Sequence, residues 1–379
     1  MRIAIDARYL SGTYSGIAKY SEDLLTHMST QDSENEYFVF IHPSYQRRLR
    51  VGENFHVIQY PAPPFSLRTL SRFGKKIANH QCDFLHSLAP IVPMIHAVPS
   101  ILTVHDLQPF TLEEELAAQQ NRRLRHFSGL FHRLTLPRCV NQATWIICVS
   151  YATRDQLVSL FPEARSKVIV IYSGVEDVFR KRPESTILQM VTKKLDLPAR
   201  YVLYVGSTRP NKNLSTMLKA FSQALKEHGD ELGHLQFLLA LGHDAAGSDI
   251  PAQARRLGIQ DHVRVLGPLT EEEKHVLYNE ALVLFSVTRS EGFGLTIVEA
   301  QAAGLPVLAA DHGSVPEVTD GSALLVDPND EAAIGSELAR LLLDESLMEY
   351  LSERGKKNVE RFRWERTAKK VYDIYRLLM

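Results

Sequence analysis

The sequence lacks the features that mark several large classes of protein. It has no run of about 18 apolar residues, the length that a membrane-spanning helix needs. Lysine and arginine number 43 against 44 aspartates and glutamates, so there is no positive excess for coating nucleic acid. The three cysteines form no CxxC pair, which indicates buried free thiols in a reducing compartment. The first apolar run, Ile3–Ile5, resembles a strand and not a signal peptide, so we expect a cytoplasmic protein.

Motifs for metals and common cofactors are also missing. There is no Asp-x-Asp, and no histidines and cysteines stand at metal-ligand spacing, so we expect neither a metal nor a resident cofactor. The glycine loop Gly12–Ile17 is neither GxGxxG nor a P-loop, which gives dinucleotide binding little support. If a nucleoside diphosphate leaves during the reaction, protein cations and helix N-termini must stabilise it.

Short apolar runs alternate with stretches of helical spacing, a pattern typical of parallel sheets built from βαβ units. In the first half the predicted strands are Ile3–Ile5, Phe38–Ile41, His56–Gln59, Phe84–His86, Ile101–His105, Trp145–Val149 and Val168–Ile171. In the second half they are Tyr201–Val205, Gln236–Ala240, Val263–Leu266, Leu282–Phe285, Val307–Ala310 and Ala323–Val326. Helices are predicted at 17–28, 214–227, 271–279, 295–303, 331–343 and 364–379.

A polar stretch, Arg180–Ser185, separates the two series of strands. It predicts a boundary between two doubly wound α/β domains, residues 1–180 and 181–363. Ligands of such sheets bind beyond the carboxyl ends of the strands. Motifs at strand ends are therefore the candidate functional residues.

The most informative strand end is Ser290–Ala300, where a glycine-rich turn opens a helix. Gly292 and Gly294 let the backbone approach a ligand closely. The amides of Gly294, Leu295 and Thr296 are unpaired first-turn donors that suit a phosphate or sugar oxygen.

Two carboxylates, Glu291 and Glu299, flank this turn. Glu299 lies about one turn into the helix, where it is placed to accept hydrogen bonds from a ribose diol. One alternative is that both merely favour a helix N-terminus by their charge. Another is the catalytic carboxylate pair of a glycosidase, which would leave the phosphate-type donors without a purpose.

Two further strand ends carry candidate polar groups. Arg209 and Lys212 follow the strand Tyr201–Val205, and two cations there suit a diphosphate. The alternative is solvated surface charge. His105 ends the strand Ile101–His105 and is either a hydrogen-bond partner for a substrate hydroxyl or a structural histidine.

As an ordered set, these motifs resemble the retaining glycosyltransferases of family 4. The resemblance covers nearly the whole chain, and its strongest element is EGFGLTIVE at Glu291–Glu299, which matches the E-x7-E motif. The other matches are Arg209–Asn213, Ser15–Tyr20, His105–Asp106, Ser150, Tyr172–Glu176, Gly313–Glu317 and Trp364. Ser15 and Glu176 depart from the usual pattern. The resemblance implies a GT-B fold: two Rossmann-like domains facing a central cleft, with the helix from Trp364 returning to the first domain.

The resemblance also implies roles. The expected catalytic residues are His105, Arg209, Lys212 and Glu291. The expected substrate-binding residues are Gly16, Leu266, Gly267, Gly292, Phe293, Gly294, Leu295, Thr296 and Glu299. Glu299 would bind ribose, and Glu291 with the Phe293 and Gly294 amides would hold the sugar. The diphosphate would lie on Arg209, Lys212, Gly16 and Thr296, the base near Leu266 and Gly267, and His105 beside the donor sugar.

The predicted activity is transfer of a hexose from a nucleotide sugar with retention at the anomeric carbon. Resemblance to bacterial polysaccharide mannosyltransferases favours mannose from GDP-mannose, moved onto a glycan or lipid-linked acceptor in cell-surface polysaccharide synthesis. The alternatives are a UDP-hexose donor, a GT-B epimerase, and a catalytically silent nucleotide-sugar-binding protein. The implied front-face route needs no protein nucleophile, because the leaving diphosphate helps to deprotonate the acceptor.

Positive charge is concentrated in the first domain, although the whole chain is nearly neutral. One cluster consists of Arg47, Arg48, Arg50, Arg68, Arg72, Lys75 and Lys76. A second consists of Arg122, Arg123, Arg125, Arg133 and Arg138. They predict reversible contact with an anionic membrane, at its inner face, with an ordinary solvated surface as the alternative.

Overall fold

The computed structural model describes residues 1–12, 15–94, 96, 98–107, 133–242 and 248–378. Arg122, Arg123 and Arg125 of the second basic cluster therefore lie outside the described residues, as does the Thr13–Tyr14 part of the glycine loop. The chain divides into two compact units: Met1–Gly174 with Phe362–Met379, and Val175–Arg361.

The first unit is built on a parallel sheet with seven strands among the described residues. In chain order they are β1 Arg2–Asp6, β2 Glu36–Ile41, β3 Phe55–Gln59, β4 Phe84–Ser87, β5 Ser100–Val104, β6 Trp145–Cys148 and β7 Val168–Val170. Their order across the sheet is β3-β2-β1-β4-β5-β6-β7. The described α-helices are Gly16–Ser29, Gly74–Ala78, 133–142, Tyr151–Leu160 and Trp364–Arg376, with a π-helix at Thr69–Phe73 and a 3-10 helix at Pro162–Lys167.

The terminal helix Trp364–Arg376 packs within this first unit, as predicted. The ring of Trp364 meets Tyr20 of the first helix at 5.6 Å between centroids. Deeper along the helix, Tyr375 lies with its hydroxyl 2.6 Å from Nδ1 of the buried His86. The last segment of the chain thus completes the core around the first helix and β4.

The second unit repeats the architecture with six parallel strands. They are β8 Tyr201–Gly206, β9 Gln236–Leu241, β10 Val263–Leu266, β11 Val283–Ser286, β12 Val307–Ala310 and β13 Leu324–Val326, in the order β10-β9-β8-β11-β12-β13. The described α-helices are Ser185–Leu195, Leu214–Leu232, Ile250–Leu257, Glu271–Glu280, Leu295–Ala302, Val315–Thr319, Glu331–Leu343 and Glu345–Asn358, and short 3-10 helices include Asp177–Arg180 and Pro210–Lys212. The two doubly wound sheets confirm the predicted fold class.

The division between the units falls slightly ahead of the stretch Arg180–Ser185. The short helix Asp177–Arg180 belongs to the second unit because its side chains pack there. Phe179 is fully buried against the rings of His275 and Tyr278. Phe362, in turn, belongs to the first unit and contacts Tyr172 at 5.6 Å between ring centroids.

Two local details differ from the sequence expectations. β5 ends at Val104, so His105 begins the following loop instead of ending the strand. Ser15, a departure from the family's glycine, is the N-cap of the first helix and accepts a hydrogen bond from the Ala18 amide at 3.2 Å. Serine is among the best N-cap residues, so this departure stabilises the start of the helix.

All three cysteines are buried and unpaired, in agreement with the sequence analysis. Through the described ranges, no helix is both long enough and apolar enough to cross a membrane.

Candidate functional site

Three loops at the carboxyl ends of neighbouring strands β8, β11 and β12 are joined by hydrogen bonds. Asn211 donates from Nδ2 to the Ser290 carbonyl at 3.0 Å, and its own carbonyl accepts the Arg289 amide at 2.8 Å. Ser314 donates from Oγ to the Glu291 carbonyl at 3.0 Å. The sheet edge where parallel α/β folds bind ligands is therefore one connected surface in the second unit.

Lys212 and Glu291, from two separate predicted motifs, form an ion pair at this edge. The Lys212 Nζ lies 2.6 Å from Glu291 Oε2, and the side chains are 18% and 23% exposed. The sequence analysis gave the two residues different roles and did not foresee their contact. Since an ammonium has three donors, Lys212 retains two N–H groups for a further acceptor.

Arg209 lies in the same loop as Lys212, but among the described residues its side chain is not paired with an acid. Its side chain is exposed, and within the described ranges the guanidinium makes no hydrogen bond and no ion pair, whereas the Arg209 carbonyl accepts the Lys212 amide at 2.9 Å. It precedes the short helical turn Pro210–Lys212, after which Asn213 adopts a left-handed conformation with φ 59°. Asn213 is buried and donates to the carbonyls of Val287 and Pro328. The loop backbone is thus anchored while the guanidinium projects free of protein partners.

The turn after Glu291 leads directly into the helix Leu295–Ala302. Gly294 has φ +95°, a conformation that other residues rarely adopt, and its carbonyl accepts the Ile297 amide at 3.0 Å. The amides of Leu295 and Thr296 meet no acceptor in the part of the chain that the structure describes. Such first-turn amides form an anion-binding position. The preceding Gly292 is partly exposed, whereas Phe293 is 5% exposed and anchors the turn.

Glu299 is only 5% exposed and is held by two side chains of the helix Glu271–Glu280. Lys274 Nζ lies 3.1 Å from Oε1, and the Tyr278 hydroxyl donates to Oε2 at 2.9 Å. Burial, followed by the charge of Glu299, raises the pKa of Tyr278 well above its usual value, so the phenol remains a donor. The sequence analysis missed Lys274 and Tyr278, although their four-residue spacing on a predicted helix was a usable signal.

Leu266 and Gly267, the predicted base-binding pair, lie at the end of β10. In the sheet order β9 separates β10 from β8, so the pair is two strands from the Arg209 loop. Leu266 is buried and Gly267 is exposed with open space where a Cβ would stand. The structure therefore places the pair on the same edge without a contact to Lys212 or Glu291.

His105 lies in the first unit, just beyond β5. Its Nε2 is 3.0 Å from the Leu88 carbonyl, and its ring meets the edge of Tyr20 at 4.7 Å between centroids. Because a carbonyl only accepts, Nε2 must carry the proton, and Nδ1 is then the acceptor. Burial lowers the pKa of His105 to about 4, against the opposing effect of the Leu88 bond, so the ring is neutral near pH 7.

Gly16, the other predicted residue of the first unit, is the first residue of the helix Gly16–Ser29. It is exposed, and a Cβ there would meet no atom within 4 Å. Space alone therefore does not require glycine at this position. Gly16 lies in the first turn of the helix, directly after the Ser15 cap.

No metal-binding group emerges from the described ranges: nowhere in them do three or more His, Cys, Asp or Glu side chains converge as metal ligands.

Comparisons with known proteins agree with this architecture. A family model for glycosyltransferase family 4 matches residues 14–178, and a model for glycosyl transferases group 1 matches residues 189–358. HepE of Anabaena, solved in complex with UDP and glucose, has a TM-score of 0.75 at 18% identity, with 99% of both chains covered. Two parallel-sheet α/β units of this kind define the GT-B class of transferases.

Curated relatives extend the comparison. O-antigen chain mannosyltransferase B of Escherichia coli is 27% identical over 281 residues, which cover 74% of this chain and 70% of the relative. The D-inositol 3-phosphate glycosyltransferase of Saccharomonospora viridis is 31% identical over 246 residues, which cover 63% of this chain and 57% of that relative. With the two family models spanning most of its length, the chain belongs to the family 4 glycosyltransferases.

Proposed function

We propose that this glycosyltransferase moves a hexose from a nucleotide sugar with retention at the anomeric carbon. The first candidate donor is GDP-mannose, and the acceptor is a glycan or lipid-linked glycan in cell-surface polysaccharide synthesis. The name of the Escherichia coli relative, an O-antigen chain mannosyltransferase, supports this choice of sugar and of process.

The observation that carries the proposal is the group of donors at the ends of β8 and β11. The Arg209 guanidinium has no protein partner in the described ranges, the amides of Leu295 and Thr296 are open, and Lys212 keeps two spare N–H groups. A diphosphate offers negative oxygens to all of them, and charge-assisted hydrogen bonds are the strong ones. These residues bind the leaving group and stabilise the charge that develops on it.

Bond changes in the proposed route balance without a protein nucleophile. The bond from the anomeric carbon to the phosphate oxygen breaks, and the acceptor oxygen bonds to that carbon on the same face. The acceptor proton passes to an oxygen of the leaving diphosphate. In this scheme Glu291 orients Lys212 and accepts from a sugar hydroxyl, while catalysis is largely positioning and charge stabilisation.

A UDP-hexose donor is the second candidate, and the UDP-bound HepE structure favours it. The proposed site is compatible with either base, because Arg209, Lys212 and the open amides would donate to phosphate oxygens and Glu299 would accept from the ribose hydroxyls, which both nucleotides share. A silent binding protein would keep the same surface but transfer nothing. The presence of the whole set Arg209, Lys212, Glu291 and Glu299 favours an enzyme over a silent binding protein.

A thermal-shift panel tests the proposal directly. GDP, UDP, ADP and their hexose conjugates are compared, and a ligand of the folded state raises the melting temperature by linkage. We expect GDP and GDP-mannose to give the largest shifts. Release of nucleoside diphosphate is then measured with and without glycan or lipid-linked acceptors. Binding without any acceptor-dependent release would favour the silent binding protein, and no shift with any nucleotide would overturn the proposal.

A further inference from the structure

The Glu299 carboxylate is enclosed by one face of a neighbouring helix. Both of its oxygens already have a protein donor, Lys274 at 3.1 Å and Tyr278 at 2.9 Å. Lys274 is itself held, since its Nζ lies 3.2 Å from Glu271 and 5.1 Å from the centre of the Phe179 ring. The position of the Glu299 carboxylate is therefore fixed by contacts with other side chains.

The start of that helix determines which side chains face Glu299. Thr270 and Glu273 form a capping box: the Thr270 hydroxyl accepts the Glu273 amide, and the Glu273 carboxylate accepts the Thr270 amide. The capping box fixes where the helix begins. Lys274 and Tyr278 are four residues apart in this helix, so their side chains share one face. Both donors thus reach Glu299 from a single rigid element.

The remaining acceptor capacity of Glu299 points to a ligand. An ionised carboxylate offers about four lone-pair positions, and the two protein donors use two of them. Side chains of a helix lean toward its N-terminus, which here is the end that carries the open amides of Leu295 and Thr296. Glu299 is four residues beyond Leu295, on the same face and roughly 6 Å further along the axis. A diol attached to a phosphate bound at those amides would meet the two unused lone-pair positions.

Burial makes the cation at Lys274 important for this geometry. A carboxylate that is removed from water is costly unless a charge and hydrogen bonds compensate it. Lys274 supplies that charge, and Tyr278 supplies a neutral donor. Without them, we expect the carboxylate to turn toward solvent, where it no longer presents a defined pair of acceptors.

We propose that Lys274 and Tyr278 are positioning residues that hold the Glu299 carboxylate toward the ribose diol of the donor, so that the site discriminates ribose from a sugar without hydroxyls. The inference rests on the proposed nucleotide-sugar function and assigns to it two residues that neither the motif nor the comparisons name. It predicts that loss of either residue reduces recognition of the ribose more than recognition of the diphosphate.

Calorimetric binding of matched nucleotides tests this assignment. The probes are GDP and UDP, each compared with its 2′,3′-dideoxy analogue, on the full chain. The variants are Lys274→Met, Lys274→Arg, Tyr278→Phe and Glu299→Gln. Lys219→Met is the matched control, because Lys219 forms an exposed ion pair with Glu331 elsewhere in the same unit. Melting temperatures establish that each variant is folded.

In the wild-type protein, GDP or UDP should bind at least about tenfold more tightly than its 2′,3′-dideoxy analogue. Lys274→Met should bring that ratio close to the Glu299→Gln value, Tyr278→Phe should lower it part of the way, and Lys274→Arg should restore most of it. Lys219→Met should retain the wild-type ratio. Retention of the ratio by folded Lys274→Met and Tyr278→Phe would overturn the inference.

Failure of the proposed nucleotide-sugar function would give a different binding result from failure of the positioning role. If the wild-type protein binds neither GDP nor UDP, the proposed function fails. If it binds a diphosphate with a ratio near one, nucleotide binding stands and the ribose role of Glu299, with its two positioning residues, is wrong.

Discussion

The side chains of Lys212 and Glu291 meet at 2.6 Å although 79 residues separate them in the chain. Each belongs to a motif at the end of a different strand, β8 or β11, and those strands are neighbours in the sheet. The residue proposed to bind the diphosphate and the residue proposed to bind the sugar therefore form one charge-neutral pair. If Lys212 binds the diphosphate as proposed, its N–H groups are shared between the Glu291 carboxylate and the phosphate oxygens.

We predict that Arg209→Ala and Lys212→Ala reduce turnover without unfolding the protein. Each charge-assisted hydrogen bond contributes roughly 1.5–3 kcal/mol, which corresponds to about a 10- to 150-fold loss of rate when the bond forms mainly in the transition state. Lys212→Ala should be the more harmful, because it also leaves Glu291 unpaired beside the diphosphate. Steady-state kinetics measure both, with Lys219→Ala as the control. Near-normal rates for both variants would show that Arg209 and Lys212 are solvated surface charges without a role in turnover.

We predict that Glu299 serves the nucleotide and Glu291 serves the sugar. Glu299→Ala should weaken binding of both the free nucleoside diphosphate and the nucleotide sugar, by about 1.5–3 kcal/mol. Glu291→Ala should spare the free diphosphate and weaken the nucleotide sugar and turnover. Titration calorimetry with both ligands checks this order. Equal damage by Glu291→Ala to the two ligands would show that the order is wrong, and hydrolysis rescued by azide would restore the carboxylate-pair mechanism.

We predict that activity does not require a divalent metal. The motivation is the absence of Asp-x-Asp from the sequence together with Arg209, Lys212 and two open helix amides at the proposed diphosphate position. The assay is run after exhaustive chelation, and then with manganese or magnesium restored. Activity that vanishes on chelation and returns with either ion would contradict the prediction.

We predict that stability falls in mild acid through the histidines of the first unit. Burial lowers the pKa of His86 to about 3 and of His105 to about 4, whereas an unfolded histidine titrates near 6.5. Below about pH 6.5 these histidines therefore bind protons in the unfolded chain but not in the folded chain. The free energy of unfolding decreases as the pH falls toward 4. Urea unfolding at pH 7 and pH 5 measures the slope. His105→Asn should reduce it, and an unchanged slope would show that His105 titrates normally.

We predict reversible binding of anionic vesicles by the first unit. Arg68, Arg72 and Lys75 are exposed at spacings of four and three along residues 68–75, beside Leu67, which is 70% exposed. Each surface cation near anionic lipid contributes about 1 kcal/mol. Co-sedimentation should increase with anionic lipid, decrease with salt, and weaken in a triple Arg68→Gln, Arg72→Gln, Lys75→Gln variant. Binding that does not depend on the fraction of anionic lipid would contradict the prediction.

The alternation of short apolar runs was sufficient to predict all the strands in the described part of both sheets. An inner strand of a parallel sheet is buried on both faces, so its residues are mostly apolar and the run is visible in the sequence, whereas the edge strand β3 buries only Phe55. Helices with few buried positions were missed for the same reason. Ser185–Leu195 buries only Val191, Glu345–Asn358 buries three residues, and the sequence analysis predicted neither helix.

The candidate site was predictable as a set of motifs and not as a set of contacts. Sequence alone placed Arg209, Lys212 and Glu291 at strand ends and put Gly294 at the start of a helix. Only the tertiary structure paired Lys212 with Glu291 and joined Glu299 to Lys274 and Tyr278, because such partners depend on which strands and helices become neighbours. Spacing along the chain describes one element at a time, whereas the charge balance of a site is set between elements.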